Sequence, residues 1–470
     1  MPRSSVSKVV GYALLLGAAA ASIWWIRSVG NGLQAPPPVE GTPVFGHPTK
    51  PVGEEFFHVL LALIAILLAS RGLGAIFAKL QQPPVIGEMF AGIMIGPSLL
   101  GRFAPDVSQF LLPPTIAPYL GVIAQIGVVL FMFLVGLELD TSGLKKRPQA
   151  AIGISQASMV LPFVLGCLLA LYVYPRFATS DVPFFVFALF MGISMSVTAF
   201  PVLARILTDR KLSKTRLGVI ALSCAAIDDV TAWCLLALVV SIAKSVPSEA
   251  AKTAGLTILF VAVMVFVARP LIRRWIHSLP KDQQFSQARL GLVFIGFLLS
   301  ALTTEAIGIH ALFGAFIFGT LIPHDSPLAR DLTARLNDAV LVLFLPAFFA
   351  FTGMRMQINL VEGQEAWFVC GLILLVATLG KFGGSYVAAR FAGLAPRDSA
   401  TIGVLMNTRG LMELVVLNIG LDLGVISPAL FAMLVLMALI TTFATSPVLT
   451  LLYRGRSVQE SFEGSERIVP

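Results

Sequence analysis

Long apolar stretches, each able to cross a lipid bilayer as a helix, recur along almost the whole of this chain. A helix needs about 20 mostly apolar residues to cross the roughly 30 Å of hydrocarbon in a bilayer. A transmembrane barrel would instead show segments of about ten residues with alternating polarity. The sequence therefore predicts an all-α polytopic membrane protein with 13 or 14 transmembrane helices. The predicted spans are 9–26, 56–78, 84–100, 117–139, 150–174, 183–207, 217–243, 253–272, 287–304, 308–323, 336–356, 367–390, 398–421 and 428–452.

The charge content agrees with a membrane protein. Only 12% of the 470 residues are charged, whereas soluble domains contain about 25%. The net charge of +8 therefore has to be interpreted by location, and Lys and Arg lie mainly in alternate loops. This distribution predicts that both termini are cytoplasmic if the first helix is retained. No basic cluster interleaved with aromatic residues indicates nucleic-acid binding, and no glycine motif for nucleotides indicates an ATP-driven motor.

The amino-terminal segment has two interpretations. Arg3 and Lys8 precede an apolar run, as in a secretory signal peptide. The run ends in Trp24 and Trp25, which resemble the aromatic belt at a membrane edge. We expect a retained extra helix, with a cleaved signal segment as the alternative. The predicted organisation is this helix with a Pro-rich external linker at 1–55, a membrane domain at 56–452 and a short cytoplasmic tail at 453–470.

Five ionisable residues lie near the middle of predicted spans: Asp228, Asp229, Lys381, Arg409 and Glu413. Such residues at membrane depth indicate a functional site. Neighbouring helix positions point about 100° apart, so a cation can hold one Asp while the other faces a water-filled cavity. A carboxylate placed this way can hold a proton or a small hard cation. The structural alternative is a buried ionic lock with Lys381 and Arg409, or an Arg409–Glu413 pair one helical turn apart.

Two spans contain a proline near the middle, Pro201 and Pro346. Proline removes a backbone donor, and the hydroxyls of Ser196 and Thr198 can satisfy backbone groups freed by a break. The span after each proline carries charge, the Asp pair in one case and Lys381 in the other. Because the two spans are an odd number of helices apart, five, the pattern predicts two inverted five-helix repeats with crossing broken helices. The alternative is that both prolines only kink packed helices.

Seven motifs then carry a family resemblance: QPPVIGE at 82–88, GPS at 96–98, FLVGLE at 133–138, TAFPVLAR at 198–205, DD at 228–229, HALFGAF at 310–316 and NTRGLMEL at 407–414. Together they resemble the monovalent cation:proton antiporter-2 family, over residues 56–452. That family includes bacterial sodium/proton antiporters, gated potassium efflux proteins and plant cation/proton exchangers.

The resemblance implies a homodimer with a static dimerisation domain and a mobile six-helix core that crosses the bilayer like an elevator. It implies that Asp229 binds the ion and the proton, that Asp228 pairs with Lys381 when no ion is bound, and that Thr198 lies beside the site. Ser196 is a further candidate there. Asp at position 228 matches the electrogenic sodium/proton antiporters, whereas the other motifs are plant-like. The choice between Na⁺ and K⁺ therefore stays open.

The expected function is secondary antiport of Na⁺ or K⁺ against protons in a bacterial inner membrane, without a cofactor. If cation arrival at Asp229 releases the Asp228–Lys381 pair, two protons exchange for one cation and transport is electrogenic. If only Asp229 titrates, exchange is one for one. The rival hypothesis is a cation-coupled symporter with Lys381 and Arg409 as counter-ions for an organic anion. A passive channel would need a selectivity-filter loop, and an enzyme would need a nucleophile–base set.

Overall fold

All regular secondary structure in the described part of the chain is helical, as the sequence predicts. The computed structural model describes residues 3–33, 52–80, 82–138, 148–179, 182–210, 212, 215–244, 247–277 and 286–452. The predicted external linker and the tail at 453–470 fall outside the described residues.

The first half of the chain forms ten α-helices: α1 (Arg3–Gly30), α2 (Val52–Lys79), α3 (Pro84–Ile95), α4 (Leu100–Phe103), α5 (Pro105–Leu111), α6 (Ala117–Glu138), α7 (Pro148–Phe177), α8 (Phe184–Ser196), α9 (Phe200–Asp209) and α10 (Arg216–Lys244).

The second half forms ten more: α11 (Pro247–Val263), α12 (Arg269–His277), α13 (Gln287–Ile307), α14 (Ala311–Leu321), α15 (Pro327–Ala339), α16 (Leu345–Arg355), α17 (Gly363–Phe391), α18 (Pro396–Met406), α19 (Leu411–Asp422) and α20 (Pro428–Leu452). One π-helical turn joins α11 to α12, and another, Val340–Phe344, joins α15 to α16.

The predicted spans coincide with these helices. Within the described ranges, ten helices are long and apolar enough to cross a membrane, and each matches one predicted span. An eleventh span, predicted at 398–421, is the bent pair α18 and α19. The remaining three predictions, at 9–26, 183–207 and 308–323, overlap only shorter apolar helical segments, which are Leu14–Gly30 of α1, Phe184–Ser196 (α8) and Ala311–Leu321 (α14). In the described ranges the structure therefore has ten or eleven such spans, fewer than the 13 or 14 predicted. The chain is therefore an integral membrane protein.

The chain divides into two compact units. Unit 1 comprises Met1–Glu40, Gly143–Ala232 and Ile358–Pro470, and unit 2 comprises Gly41–Ser142 and Trp233–Gln357. Each unit thus combines separated parts of the sequence. All seven predicted site residues belong to unit 1. That one unit is a mobile core and the other a dimerisation domain stays a prediction.

Each unit has its own apolar core. In unit 1, Leu203, Ala221 and Leu405 are fully buried in a cluster contributed by α9, α10 and α18. In unit 2, Ile66 and Met354 are buried in a cluster that joins α2 to α16. The helices therefore pack through apolar contacts, and polar groups inside unit 1 stand out against this background.

The amino-terminal helix α1 packs against α7 and α8 of unit 1. Ile26 is buried there, and the Arg27 guanidinium lies 4.8 Å from the centre of the Phe185 ring. Trp24 and Trp25 are exposed, as expected for side chains at a membrane edge. Retention of this helix in the mature protein stays a prediction.

The helix breaks only partly match the prediction. The span containing Pro201 is interrupted, because α8 ends at Ser196 and α9 begins at Phe200. The interruption predicted at Pro346 is wrong. There the chain stays helical from α15 through the π turn into α16, and Pro346 is the second residue of α16. A π turn bonds i to i+5 and widens the helix, which accommodates the proline ring and its missing N–H.

The second interruption lies instead between α18 and α19, at Asn407–Gly410, where the two helices are bent by 41°. It belongs to the thirteenth predicted span, so the predicted spacing of five spans is also wrong. The two broken spans are seven apart, which is again an odd number. An inverted relation between them therefore stays a prediction.

Candidate ion-binding site

The two helix interruptions of unit 1 are in direct contact. The backbone N–H of Ala199 donates a hydrogen bond to the carbonyl oxygen of Thr408, at 3.1 Å. The Thr198 hydroxyl lies 3.3 Å from the carbonyl oxygen of Met406. A break inside a membrane frees backbone groups that have no water to bind. Each interrupted segment here forms hydrogen bonds with free backbone groups of the other. The ends of four half-helices therefore meet at one point.

The carbonyl end of α8 is capped by two buried cations. The Arg409 guanidinium donates to the carbonyl oxygens of Ser194 (2.9 Å) and Met195 (2.7 Å). The Lys381 ammonium donates to the carbonyl oxygen of Ser196. A helix carries partial negative charge at its carboxyl end, and its last carbonyls lack partners within the helix. Both cations thus lie at the negative end of α8, and a charge-compensating role for Lys381, Arg409 and Glu413 stays a prediction.

Asp228 is surrounded by donors. Its Oδ1 accepts from the Ser155 hydroxyl at 2.6 Å, and its Oδ2 accepts from Ser158 at 2.8 Å and from Thr198 at 2.7 Å. The Lys381 ammonium lies 3.1 Å from Oδ2, and both side chains of this ion pair are fully buried. A buried carboxylate is tolerated when hydrogen bonds and a counter-charge satisfy its oxygens. Asp228 meets both conditions.

Close packing between α7 and α17 brings Lys381 to this place. A Cβ at Gly384 would lie 2.6 Å from the carbonyl oxygen of Ala157, and one at Gly380 would lie 2.9 Å from the Cα of Pro162. Glycines four residues apart let membrane helices approach closely. Because Lys381 lies between these glycines in sequence, its ammonium reaches the carboxylate that α7 also holds.

Asp229 differs sharply from its neighbour. It is 2% exposed, and among the described residues neither of its carboxylate oxygens has a hydrogen-bond partner. The backbone N–H of Phe200, at the start of α9, faces this carboxyl group. The amino end of a helix carries partial positive charge. A buried carboxylate without partners is costly, so Asp229 is stabilised when it holds a proton or a cation.

Glu413 lies in the first turn of α19. Its Oε1 is 3.2 Å from Nη1 of Arg409, and both side chains are fully buried. The predicted pair one helical turn apart is therefore present. Arg409 contacts both Glu413 and the end of α8, and so connects one broken helix to the other.

The predicted role of Ser196 is not supported by a contact of its hydroxyl with the Asp pair. The hydroxyl is shared between the carbonyl oxygens of Gly192 (2.7 Å) and Met159 (3.0 Å). Only the backbone carbonyl of Ser196 contacts a charged site residue, Lys381. A part for Ser196 in ion binding stays a prediction.

Three residues that contact this site were not predicted from the sequence. Ser155 and Ser158 of α7 bind Asp228, and Thr442 of α20 binds the backbone of Arg409. Two hydroxyls three residues apart in an apolar span share one helix face, so Ser155 and Ser158 carried a usable signal.

The carboxylates of the site do not form a metal cluster of the resident type. Across the ranges that the structure describes, no group of three or more His, Cys, Asp or Glu side chains is placed to hold a metal ion.

Sequence comparisons identify the family. Residues 59–453 match the family model described as sodium/hydrogen exchanger, transmembrane. The Na⁺/H⁺ antiporter NhaS4 of Synechocystis sp. is 42% identical over 397 residues, which are 84% of this chain and 97% of that protein. Cation/H⁺ antiporter 20 of Arabidopsis thaliana is 39% identical, over 85% of this chain and 49% of that protein.

K⁺/H⁺ antiporter 1 of Saccharomyces cerevisiae is 35% identical, over 83% of this chain and 45% of that protein. The chain thus spans about half the length of these plant and yeast relatives. Among solved structures, the sodium proton antiporter MjNhaP1 from Methanocaldococcus jannaschii matches with a TM-score of 0.64 at 15% identity, over 87% of this chain and 99% of that one. At that identity the match shows a shared fold. The chain belongs to the sodium/hydrogen exchanger family of integral membrane proteins.

Proposed function

We propose that this protein is a secondary active antiporter that exchanges a monovalent cation, Na⁺ or K⁺, for protons. The observation that carries the proposal is the contrast within the Asp pair. Asp228 is held by three hydroxyls and an ammonium, whereas Asp229 is buried without a hydrogen-bond partner among the described residues. A carboxylate of the second kind is stabilised by either a proton or a cation, and competition between the two is what antiport requires.

The relatives support this reaction class. They are named as antiporters of cations and protons, one for Na⁺, one for K⁺ and one without a stated cation. None of these names describes an enzyme. Because both cations occur among relatives of similar identity, the substrate of this chain has to be measured.

In the proposed cycle, a cation enters the crossing of the broken helices and replaces the proton on Asp229. Unit 1 then carries the site between the two faces of the membrane, while unit 2 provides the contact within a homodimer. Protons reload Asp229 on the other side. We propose that no cofactor takes part in this cycle. We propose a location in a bacterial inner membrane, with both termini cytoplasmic if the first helix is retained.

The organic-anion symporter is not favoured, because its proposed counter-ions already have protein partners. Arg409 binds two carbonyl oxygens and Glu413. Lys381 binds Asp228 and the carbonyl of Ser196. An organic anion would have to displace these buried contacts before it could bind.

Proton flux in proteoliposomes tests the proposal. The lumen is made acidic and loaded with a pH-sensitive dye, and Na⁺, K⁺ and Li⁺ are added outside in turn. We expect each transported cation to make the lumen more alkaline, and the order of the responses ranks the cations. Asp229→Asn keeps the side-chain shape but removes the exchangeable charge, so it should give no response. An active Asp229→Asn protein would refute the role of Asp229, and no response of the wild-type protein to any cation would refute antiport.

A further inference from the structure

A threonine of α20 forms hydrogen bonds with the backbone of the second helix interruption. Thr442 is buried, and its hydroxyl accepts a hydrogen bond from the backbone N–H of Arg409 at 3.0 Å. The same hydroxyl donates to the carbonyl oxygen of Arg409 at 2.7 Å. One side chain therefore satisfies both backbone groups of a residue in the interrupted segment, where no water can do so.

The clamped residue is also the one that caps α8. Its guanidinium holds the carbonyl oxygens of Ser194 and Met195. The next carbonyl, that of Ser196, binds Lys381, which in turn pairs with Asp228. A short chain of buried contacts therefore runs from the Thr442 hydroxyl to the Asp pair. A shift of the Arg409 backbone would move the guanidinium and change the charge around the site.

The neighbouring threonine provides a contrast. The Thr441 hydroxyl is equally buried, but in the described structure it is shared between the carbonyl oxygens of Met437 and Ala438 in its own helix. This local bond is ordinary for threonine inside a helix. Thr442 instead bonds to both backbone groups of Arg409, which lies in the interruption between α18 and α19 and not in α20. That contact is therefore not a local helix contact.

We propose that Thr442 is a positioning residue for ion exchange. Its hydroxyl fixes the backbone of Arg409, and through it the position of the guanidinium at the carbonyl end of α8. The inference rests on the proposed function, since cation/proton exchange is its readout. It adds a residue of α20 that touches neither the cation nor the proton.

Three variants test this role in proteoliposomes: Thr442→Val, Thr442→Ser and Thr441→Val. Valine has nearly the shape of threonine but leaves the buried N–H and C=O of Arg409 unpaired, a penalty that corresponds to roughly a tenfold change in an equilibrium. We expect the apparent KM for the cation to rise about tenfold in Thr442→Val, with a smaller change in the saturated rate. Thr442→Ser keeps the hydroxyl and should keep the KM, and Thr441→Val should resemble the wild-type protein.

The KM separates positioning from simple stabilisation, because a purely structural role would lower the amount of folded protein and the saturated rate with KM unchanged. An unchanged KM in Thr442→Val would overturn the proposal, as would a Thr442→Ser protein as impaired as Thr442→Val, or equal losses in Thr441→Val.

If Thr442→Val does not reach the membrane, Thr442→Cys decides, because a thiol is a weak donor and acceptor. An intermediate KM is then expected, and a wild-type KM would refute the role. If the wild-type protein exchanges normally and Thr442→Val has the same KM, the antiport proposal holds and only the role of Thr442 is refuted. A wild-type protein without exchange removes both.

Discussion

The Asp228–Lys381 pair makes a stability prediction at the scale of single residues. Lys381→Met removes the counter-charge of a fully buried carboxylate and leaves three hydroxyl partners. Removing one partner of a buried ion pair costs about 3–5 kcal/mol. We expect the unfolding midpoint of the purified protein in detergent to fall clearly at pH 8.

The double variant Asp228→Asn, Lys381→Met is the control for this prediction. It removes both charges together, and replacing a whole buried pair is often nearly neutral. Its unfolding midpoint should return most of the way to that of the wild-type protein. A double variant as unstable as Lys381→Met alone would show that the lysine stabilises the fold by contacts other than the ion pair.

The charged residues of the site and Thr198 were predicted, whereas Ser155 and Ser158 carried a weaker signal in the sequence. Asp228 and Lys381 stand out because charge is rare in an apolar span. Serine and threonine are common in membrane helices and usually bond to a carbonyl one turn back. The Ser158 hydroxyl is shared between such a carbonyl, that of Ser155 at 2.9 Å, and the carboxylate of Asp228. Only the contact of α7 with Asp228 of α10 distinguishes the two uses.

At the scale of elements, the contact between α7 and α17 predicts opposite effects for two adjacent glycines. A Cβ at Gly384 would lie 2.6 Å from the carbonyl oxygen of Ala157, whereas a Cβ at Gly383 would meet nothing within 4 Å. Gly384→Ala should push the helices apart at a cost of about 1–3 kcal/mol and slow exchange, because Lys381 moves away from Asp228. Thermal unfolding and proton flux measure the two effects.

Gly383→Ala is the matched control, in the same helix and with the same added methyl group. Alanine is a better helix former than glycine by up to about 1 kcal/mol, so this variant should be as stable as the wild-type protein or slightly more stable. Its exchange rate should be unchanged. Equal losses in the two variants would show that α17 needs glycine for flexibility and not for close approach to α7.

The helix breaks show which interruptions a local sequence pattern can predict. Proline correctly indicated the interruption before α9, but Pro346 is accommodated by a π turn. The interruption at Asn407–Gly410 contains no proline. It persists because distant groups satisfy its backbone: the Ala199 N–H binds the Thr408 carbonyl, and the Thr442 hydroxyl binds Arg409. Such contacts depend on tertiary packing, which a local reading of the sequence does not contain.

At the scale of the whole molecule, the fold class and ten of the fourteen predicted spans followed from hydropathy, because a bilayer demands long apolar helices. The division into two units did not follow in the same way. Unit 1 joins Gly143–Ala232 to Ile358–Pro470 across more than a hundred residues of unit 2. The contacts that make this division are long-range, and only the family resemblance suggested a core separate from a dimerisation domain.

The net charge that crosses the membrane in one transport cycle depends on whether the Asp228–Lys381 pair opens. If a cation at Asp229 releases the Asp228–Lys381 pair, Asp229 gives up one proton and the Lys381 ammonium gives up a second. Two protons then leave as one cation enters, and one net positive charge moves with the protons. A cation jump on wild-type proteoliposomes adsorbed to a sensor membrane should therefore give a transient current of that sign. In the double variant Asp228→Asn, Lys381→Met only Asp229 can titrate, so dye-detected proton flux should persist without a current. Asp229→Asn, as the control, should give neither signal. Proton flux without current in the wild-type protein would show that one cation exchanges for one proton and that the Asp228–Lys381 pair stays closed throughout the cycle.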